Sequence, residues 1–376
     1  MTELDVDVVV VGGGLMGSAT AWQLSRRGRS VALVKAFAIG HHRSSSHGSS
    51  RIFRRAYADP IYIAMTGQAR ELWRELEVDS GTALLKQTGG LDHGRRRDPV
   101  LLAQRLSEAG VPNELLSEQA ARQRWPQLRF DGPVLLHPEA GVVDADAAVQ
   151  AAVRQAGARD ASILTDTRVL SVEVIHQRGA ERVRVETDGG SLIADTVVIA
   201  AGGWLPHLAE RVSVRLDLPA LRVTQQQVFH FTQRDPAAQW PVFVHKHKLA
   251  VFGLPSGRDA GPGAMKVAQH DGGAVTTAQD RSGVVDPAGR ERIIDYVTTW
   301  LPGLNQQPVA ETTCLYTITP NEDFILDRVG PVVVVSPCSG HGAKFAPLIG
   351  DLAAELAVGE SKPQPRFALR AHLVPS

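Results

Sequence analysis

Three glycines near the N-terminus are spaced to do chemistry. Gly12, Gly14 and Gly17 form a G-x-G-x-x-G turn with Leu15 and Met16 inside it. A diphosphate needs backbone N–H groups aimed at it and no Cβ in the way. The turn supplies both, and a helix starting there adds the positive end of its dipole. Residues 6–11 before it are apolar apart from Asp7, as in a strand buried on both faces. Residues 18–27 have helical spacing ended by Gly28, and 30–37 read as a second strand. Together they make a βαβ unit of about 30 residues. A dinucleotide site ordinarily places Asp or Glu at the end of the second strand, on the ribose hydroxyls. Here the residue is Lys35. A lysine can donate to a ribose oxygen but cannot accept from both hydroxyls. It would also suit the 2′-phosphate of NADP, so that cofactor stays open at this point.

Other reactive residues are scattered further along. Arg51, Arg54 and Arg55 follow a stretch (40–50) rich in His, Ser and Gly. Residues 51–57 are read as starting a helix, on which Arg51 and Arg54 would share a face. Lys266 and His270 are four apart. On a strand they share a face but lie about 13 Å from each other, too far to act on one atom. His245, Lys246, His247 and Lys248 alternate in a way that reads as a solvated strand edge. Cys314 and Cys338 are the only cysteines. They cannot build a disulfide framework or a four-cysteine metal site, and no other spacing argues for metal. No serine sits in a nucleophile-elbow context.

The elements that must position these residues follow from periodicity. Residues 61–78 read as a long amphipathic helix, 89–93 as a short strand and turn, and 98–125 as helical up to Pro126. Residues 141–157 read as strand then helix, with Asp144 or Asp146 as N-cap. Strands are expected at 163–164, 169–174, 183–186 and 195–201, then at 225–231, 242–244, 249–254 and 265–268. A helix is expected at 287–301, strands at 311–317 and 332–336, and a last helix at 345–358. No internal repeat or low-complexity segment interrupts this order. Nucleotide-type strands alternate with insertions, which predicts an α/β protein with a second, β-rich domain interleaved through the first.

Composition bounds the rest. The 376 residues carry 40 Lys+Arg and 40 Asp+Glu, with 43% hydrophobic and 21% charged residues. That predicts a globular protein of two or three domains. A balanced charge gives no reason to expect nucleic-acid or anionic-membrane binding. No apolar run approaches the roughly 18 residues of a membrane helix. The acidic start lacks the pattern of a secretory signal. A soluble cytoplasmic protein is the expectation.

The segment from Ser46 through His47, Ser50, Arg51 and Arg54 to Tyr57, taken with the glycine turn, resembles the monomeric sarcosine oxidase and N-methyltryptophan oxidase family. These are FAD-dependent oxidoreductases of the D-amino acid oxidase superfamily. Ala200-Ala-Gly-Gly-Trp204 resembles the family's late strand-to-glycine turn. Lys266-Val-Ala-Gln-His270 keeps its lysine and histidine. Cys314-Leu-Tyr-Thr317 resembles its flavin-attachment segment, and Ser339-Gly-His-Gly-Ala-Lys-Phe345 its C-terminal flavin and substrate motif. The resemblance runs over essentially the whole chain and favours FAD over NADP.

The resemblance implies a Rossmann-type FAD domain (1–88, 141–219 and 318–376) and a substrate domain (89–140 and 220–317). Gly12, Gly14, Leu15, Met16, Gly17, His47, Ser50, Arg51, Gly340, Gly342 and Lys344 are the implied cofactor contacts, and Lys35, a departure from the pattern, joins them by its position after the second strand. Cys314 is the implied thioether link to the flavin. Arg54 and Lys344 are implied to clamp a substrate carboxylate, with Phe252, His270 and Tyr316 beside it. Lys266 is implied to stand by the flavin and promote reaction with O2. Cys338 and Arg55 carry no implied role. Phe252 replaces a tyrosine of the sarcosine oxidases, which points to another amine. The implied activity is oxidation of an N-methyl or cyclic amino acid such as pipecolate or proline to an imine, with O2 reduced to H2O2 by a monomeric enzyme. A non-covalent dehydrogenase with another electron acceptor and a catalytically silent flavin-binding protein are the alternatives.

Overall fold

The apolar runs become the centres of two sheets. The protein was analysed as a computed structural model that describes residues 4–177 and 179–373. In the first sheet the Leu4–Val11 strand lies between Gly190–Ile199 and Val31–Val34, parallel to both. Ser162–Leu164 extends it beyond Val31–Val34, and Val332–Ser336 pairs in parallel with the far half of Gly190–Ile199. The near half of that long strand pairs antiparallel with Ala180–Thr187, which pairs with Val169–Gln177. Helices Leu15–Arg26, Pro60–Ser80, Ala145–Gly157 and Ala346–Val358 bury their apolar sides in one core with Trp22, Trp73 and Phe345.

Among the described residues the second sheet has nine strands. Its longest pair is Arg222–Gln233 against Leu304–Ile318, antiparallel. The order continues through Ala264–Gln269, Ala250–Pro255, Val242–Lys246, Gly90–His93, Val134–His137 and Glu114–Leu116. It has its own core, with Phe229, Phe231, Phe243 and Trp240. A small third sheet joins Arg51–Phe53, Gly141–Val143 and Leu85–Gln87.

Several local expectations change. Residues 51–57 are a three-residue strand and an irregular tail, not a helix. Pairing with Gly141–Val143, far along the chain, overrides local spacing. Arg51 and Arg54 therefore do not share a helix face. The 98–125 stretch breaks at Gly110, whose φ is +66°. It gives helices Pro99–Glu108 and Glu118–Arg124 around the short strand Glu114–Leu116. Ile325–Val329 is an unforeseen strand, in a hairpin with Val332–Ser336. Val242–Lys246 is no edge, because Ala250–Pro255 and Gly90–His93 flank it. Asp144, not Asp146, caps the Ala145–Gly157 helix through the Ala147 N–H at 2.9 Å.

One buried bond ties a core helix to the C-terminal motif. The Trp73 indole N–H donates to the Lys344 carbonyl at 2.8 Å. Trp73→Phe keeps most of the ring but leaves that carbonyl unpaired. It is expected to destabilise the protein by about 1–3 kcal/mol, read as a lower denaturant midpoint at unchanged slope.

Candidate active site

The glycine turn holds its shape by close approach. Gly12 has φ +104°, and a Cβ there would lie 2.4 Å from the Ala200 carbonyl oxygen. A Cβ on Gly17 would lie 1.7 Å from the Gly12 carbonyl oxygen, so helix and strand meet only through hydrogen. Gly14 caps the Leu15–Arg26 helix, and the Leu15 N–H donates to Ser46 Oγ at 3.0 Å. Lys35 is buried with its chain laid over Gly13. Burial lowers its pKa to about 8, against the pull of Asp166.

This turn opens into a cavity of about 1170 Å³ whose walls come from both sheets. That exceeds the roughly 300–1,000 Å³ of ordinary small-ligand pockets. Every sequence-predicted site residue lines it except Gly17, which acts from behind the turn. The space fits a long, phosphate-bearing cofactor such as FAD. Ser50 Oγ, Gln226 Oε1 and Ser336 Oγ are buried there without a hydrogen-bond partner among the described residues.

The loop before Arg51 is organised by that arginine. Its guanidinium donates to the carbonyls of Ser50 (2.7 Å) and Ser45 (2.9 Å). His47 Nε2 lies 3.1 Å from the Thr313 carbonyl, and burial followed by the Arg51 charge lowers its pKa to about 3. The ring is therefore neutral. Gly340 has φ +73°, and a Cβ there would meet His270 and Tyr316 at 2.6–2.7 Å. Gly342 packs directly on the Pro337 carbonyl.

Lys266 is buried, with its ammonium donating to Asp259 Oδ2 at 3.0 Å and the Ser50 carbonyl at 3.1 Å. Burial and the nearby Arg51 charge lower its pKa to about 8, while Asp259 resists. Burial alone would raise Asp259, but Lys266 and the Ser49 bonds prevail and hold it at about 2. Cys314 is buried against Val228, Ala268, Phe252 and Tyr316. Burial raises its thiol pKa, while Arg51 and Lys266 pull the other way.

A second group of cations gathers on Tyr57. Arg54 stacks over its ring at 4.4 Å and donates to the Ala56 carbonyl. Lys344 Nζ donates to the Tyr57 hydroxyl at 3.1 Å and the His341 carbonyl at 2.6 Å. Burial, then Arg54 and Arg97, push the Lys344 pKa well below the lysine range. Arg97 is paired with Asp92 at 2.5 Å, and Lys246 also lines the cavity. His270, lowered to about 4 mainly by burial, faces Tyr316 and Phe252.

Sequence reasoning missed Tyr57, Arg97, Lys246 and Asp259. Tyr57 ends the Ser46–Tyr57 motif as an unremarkable aromatic, and Lys246 lies in the basic run that reads as a solvated edge. Nothing in the Arg95–Arg97 run singles out Arg97. Arg55, which carries no implied role, is mostly buried and shares Glu139 with Arg70, at 2.8 and 2.5 Å.

Comparison with known proteins agrees with this geometry. The human peroxisomal sarcosine oxidase is 33% identical over 371 residues, covering 94% of this chain and 92% of the relative. The N-methyl-L-tryptophan oxidase of Yersinia pestis is 29% identical over 383 residues, covering 96% and 97%. A solved structure of NikD, an unusual amino acid oxidase essential for nikkomycin biosynthesis, superposes with a TM-score of 0.84 at 25% identity. It covers 98% of each chain. Residues 7–356 match the family described as FAD dependent oxidoreductase. A match of that length, on a turn and cavity fit for the cofactor, makes this chain a member of the FAD-dependent oxidoreductase family.

Proposed function

We propose that this protein oxidises secondary amino acids, N-methylated or cyclic, to imines, with O2 as the final acceptor and H2O2 as a product. The observation that carries this is the pair Arg54 and Lys344. Both sit on Tyr57 in the cavity wall, and both bond only to neutral oxygens among the described residues. Two desolvated cations without a carboxylate partner suit a substrate carboxylate, which a planar guanidinium grips in two places. The names of the relatives, a sarcosine oxidase and an N-methyl-L-tryptophan oxidase, support an amine bearing that carboxylate.

FAD, when bound, would supply the redox chemistry, as acceptor of a hydride from the carbon next to the amine and as electron donor to O2. The chain's own residues orient and stabilise. His270 stays a neutral imidazole and Tyr316 a neutral phenol, so neither adds charge beside the amine. Phe252 and Tyr316 give the pocket an apolar wall that excludes water. Phe252 offers no hydroxyl to the amine, which favours a substrate other than sarcosine. Lys266 holds a fixed positive charge where negative charge develops on O2. Cys314 Sγ is the group we assign to a thioether with the flavin. Its place in the cavity wall beside Lys266 and Arg51 supports this.

Residues 1–88, 141–219 and 318–376 form the cofactor domain in this reading, and 89–140 and 220–317 the substrate domain. The two free cysteines suit a reducing, cytoplasmic setting. The sarcosine oxidase likeness suits a monomer. No helix among the described residues is long and apolar enough to cross a membrane.

Purified enzyme given N-methyl amino acids, pipecolate or proline is expected to release peroxide. Flavin bleaching without peroxide would instead identify a dehydrogenase. Lys344→Met is expected to lower kcat/KM for the amino acid by about 10- to 100-fold, the loss of one charged hydrogen bond, and to affect an amine lacking the carboxylate far less. Acid precipitation of the native protein should leave flavin colour in the pellet, and Cys314→Ser should release it to the supernatant. The Lys266 charge is present below pH about 8 and lost above it. Reoxidation of reduced enzyme by O2, followed by stopped flow, should therefore slow as pH rises through about 8. Lys266→Met should be slow at every pH.

A further inference from the structure

A second cluster of polar side chains is buried on the other side of the substrate sheet. His93 and His245 are register partners on the parallel strands Gly90–His93 and Val242–Lys246. Their rings stack with centroids 4.2 Å apart and planes within 12°. Asp131, from the loop before Val134–His137, brings Oδ1 to 3.7 Å from His245 Nε2. One ligand atom from each of the three residues lies within 4.8 Å of the other two.

Both ring nitrogens of His93, Nε2 of His245 and both oxygens of Asp131 are buried without a hydrogen-bond partner among the described residues. His93 is 1% exposed and His245 is fully buried. Each such atom costs about 1–3 kcal/mol unless something bonds to it. Arg95, almost wholly exposed, comes no nearer to Asp131 than 4.0 Å.

The chemistry suits a cation with neutral nitrogen ligands. A neutral imidazole keeps a lone pair on one ring nitrogen while the other carries its hydrogen. His245 Nδ1 lies 2.8 Å from the Tyr296 hydroxyl. In the tautomer whose Nδ1–H donates to that oxygen, the one a metal would select, the Nε2 lone pair is free on the side of Asp131. This is the outer-shell contact that fixes a metal-binding tautomer. Phe130 and Trp300 pack edge-on against the two rings and keep the group dry.

We propose that His93, Asp131 and His245 form a structural site for a divalent transition metal of the zinc class. Two imidazoles and a carboxylate are a zinc-type donor set. Binding must draw the ligand atoms in to roughly 3.4 Å of one another, the spacing set by tetrahedral bonds of about 2.1 Å. The rings reach it by tilting out of their stack. The half-exposed His247, with Nε2 3.6 Å from Asp131 Oδ2, marks the way in from solvent.

The test is metal retention by the flavin-loaded, full-length protein. It is loaded with Zn2+ alone, dialysed against metal-free buffer and analysed for elements. One zinc per chain is expected to remain. Co2+ in its place should give visible bands of a tetrahedral nitrogen and oxygen site. Asp131→Asn should lose the metal while keeping its flavin spectrum. The milder Tyr296→Phe should weaken zinc binding by about 10- to 100-fold. Native protein that retains no zinc, or Asp131→Asn that retains as much as native, overturns the proposal.

Discussion

The cost of burying positive charge governs this molecule. Lys35, Lys266 and Lys344 are each at most 4% exposed, and the chain has only seven lysines. Arg51, Arg54 and Arg97 share the same cavity wall. Among the described residues, salt bridges to these six cations come only from Asp92, on Arg97, and Asp259, on Lys266. Burial depresses the pKa of all three lysines. Such an arrangement is unfavourable for the protein alone and favourable once anions enter. A cofactor diphosphate and a substrate carboxylate have the charge it lacks.

The fold distributes that cost among elements that cannot shift independently. Arg51 takes up the carbonyls of Ser45 and Ser50, and the Ser50 carbonyl also accepts from Lys266 on the second sheet. Asp259 binds Lys266 while accepting from the Ser49 amide. The 45–51 segment is thus fastened to the second sheet, and folded on itself by Arg51, through hydrogen bonds to charged groups, the stronger kind. Preorganisation of this sort places charge before any reaction begins, which is where an enzyme gains most from electrostatics.

Legibility in the sequence followed how local the cause was. The glycine turn was readable because its constraint is steric and falls within six residues. The Gly17 and Gly12 contact needs no distant partner. Long amphipathic helices and continuous apolar strands were readable for the same reason. The strand at Arg51–Phe53 was not, because Gly141–Val143 pairs with it across some ninety residues. Ile325–Val329 offered only two apolar residues before Asp327 and Arg328, too few to set a period. In the site, Arg54, Lys266, Cys314 and Lys344 stood out by motif, and all line the cavity. Asp92, Asp259 and Tyr57 did not, because each matters only through the cation it meets.

The same two strands show why the basic run at 245–248 misled. Alternation in a strand sends neighbouring side chains to opposite faces. A basic run at an edge or strand end would lie next to water. Here the Val242–Lys246 strand is interior, so each face meets a different environment. Lys246 lines the cavity, while His245 is buried against Tyr296 and Trp300. On the partner strand, Asp92 engages Arg97 and His137, while His93 stacks on His245. One register therefore fixes two chemistries at once. Any force that holds His93 against His245 also holds Asp92 and Lys246 in place on the cavity side, because a strand cannot slip on one face alone.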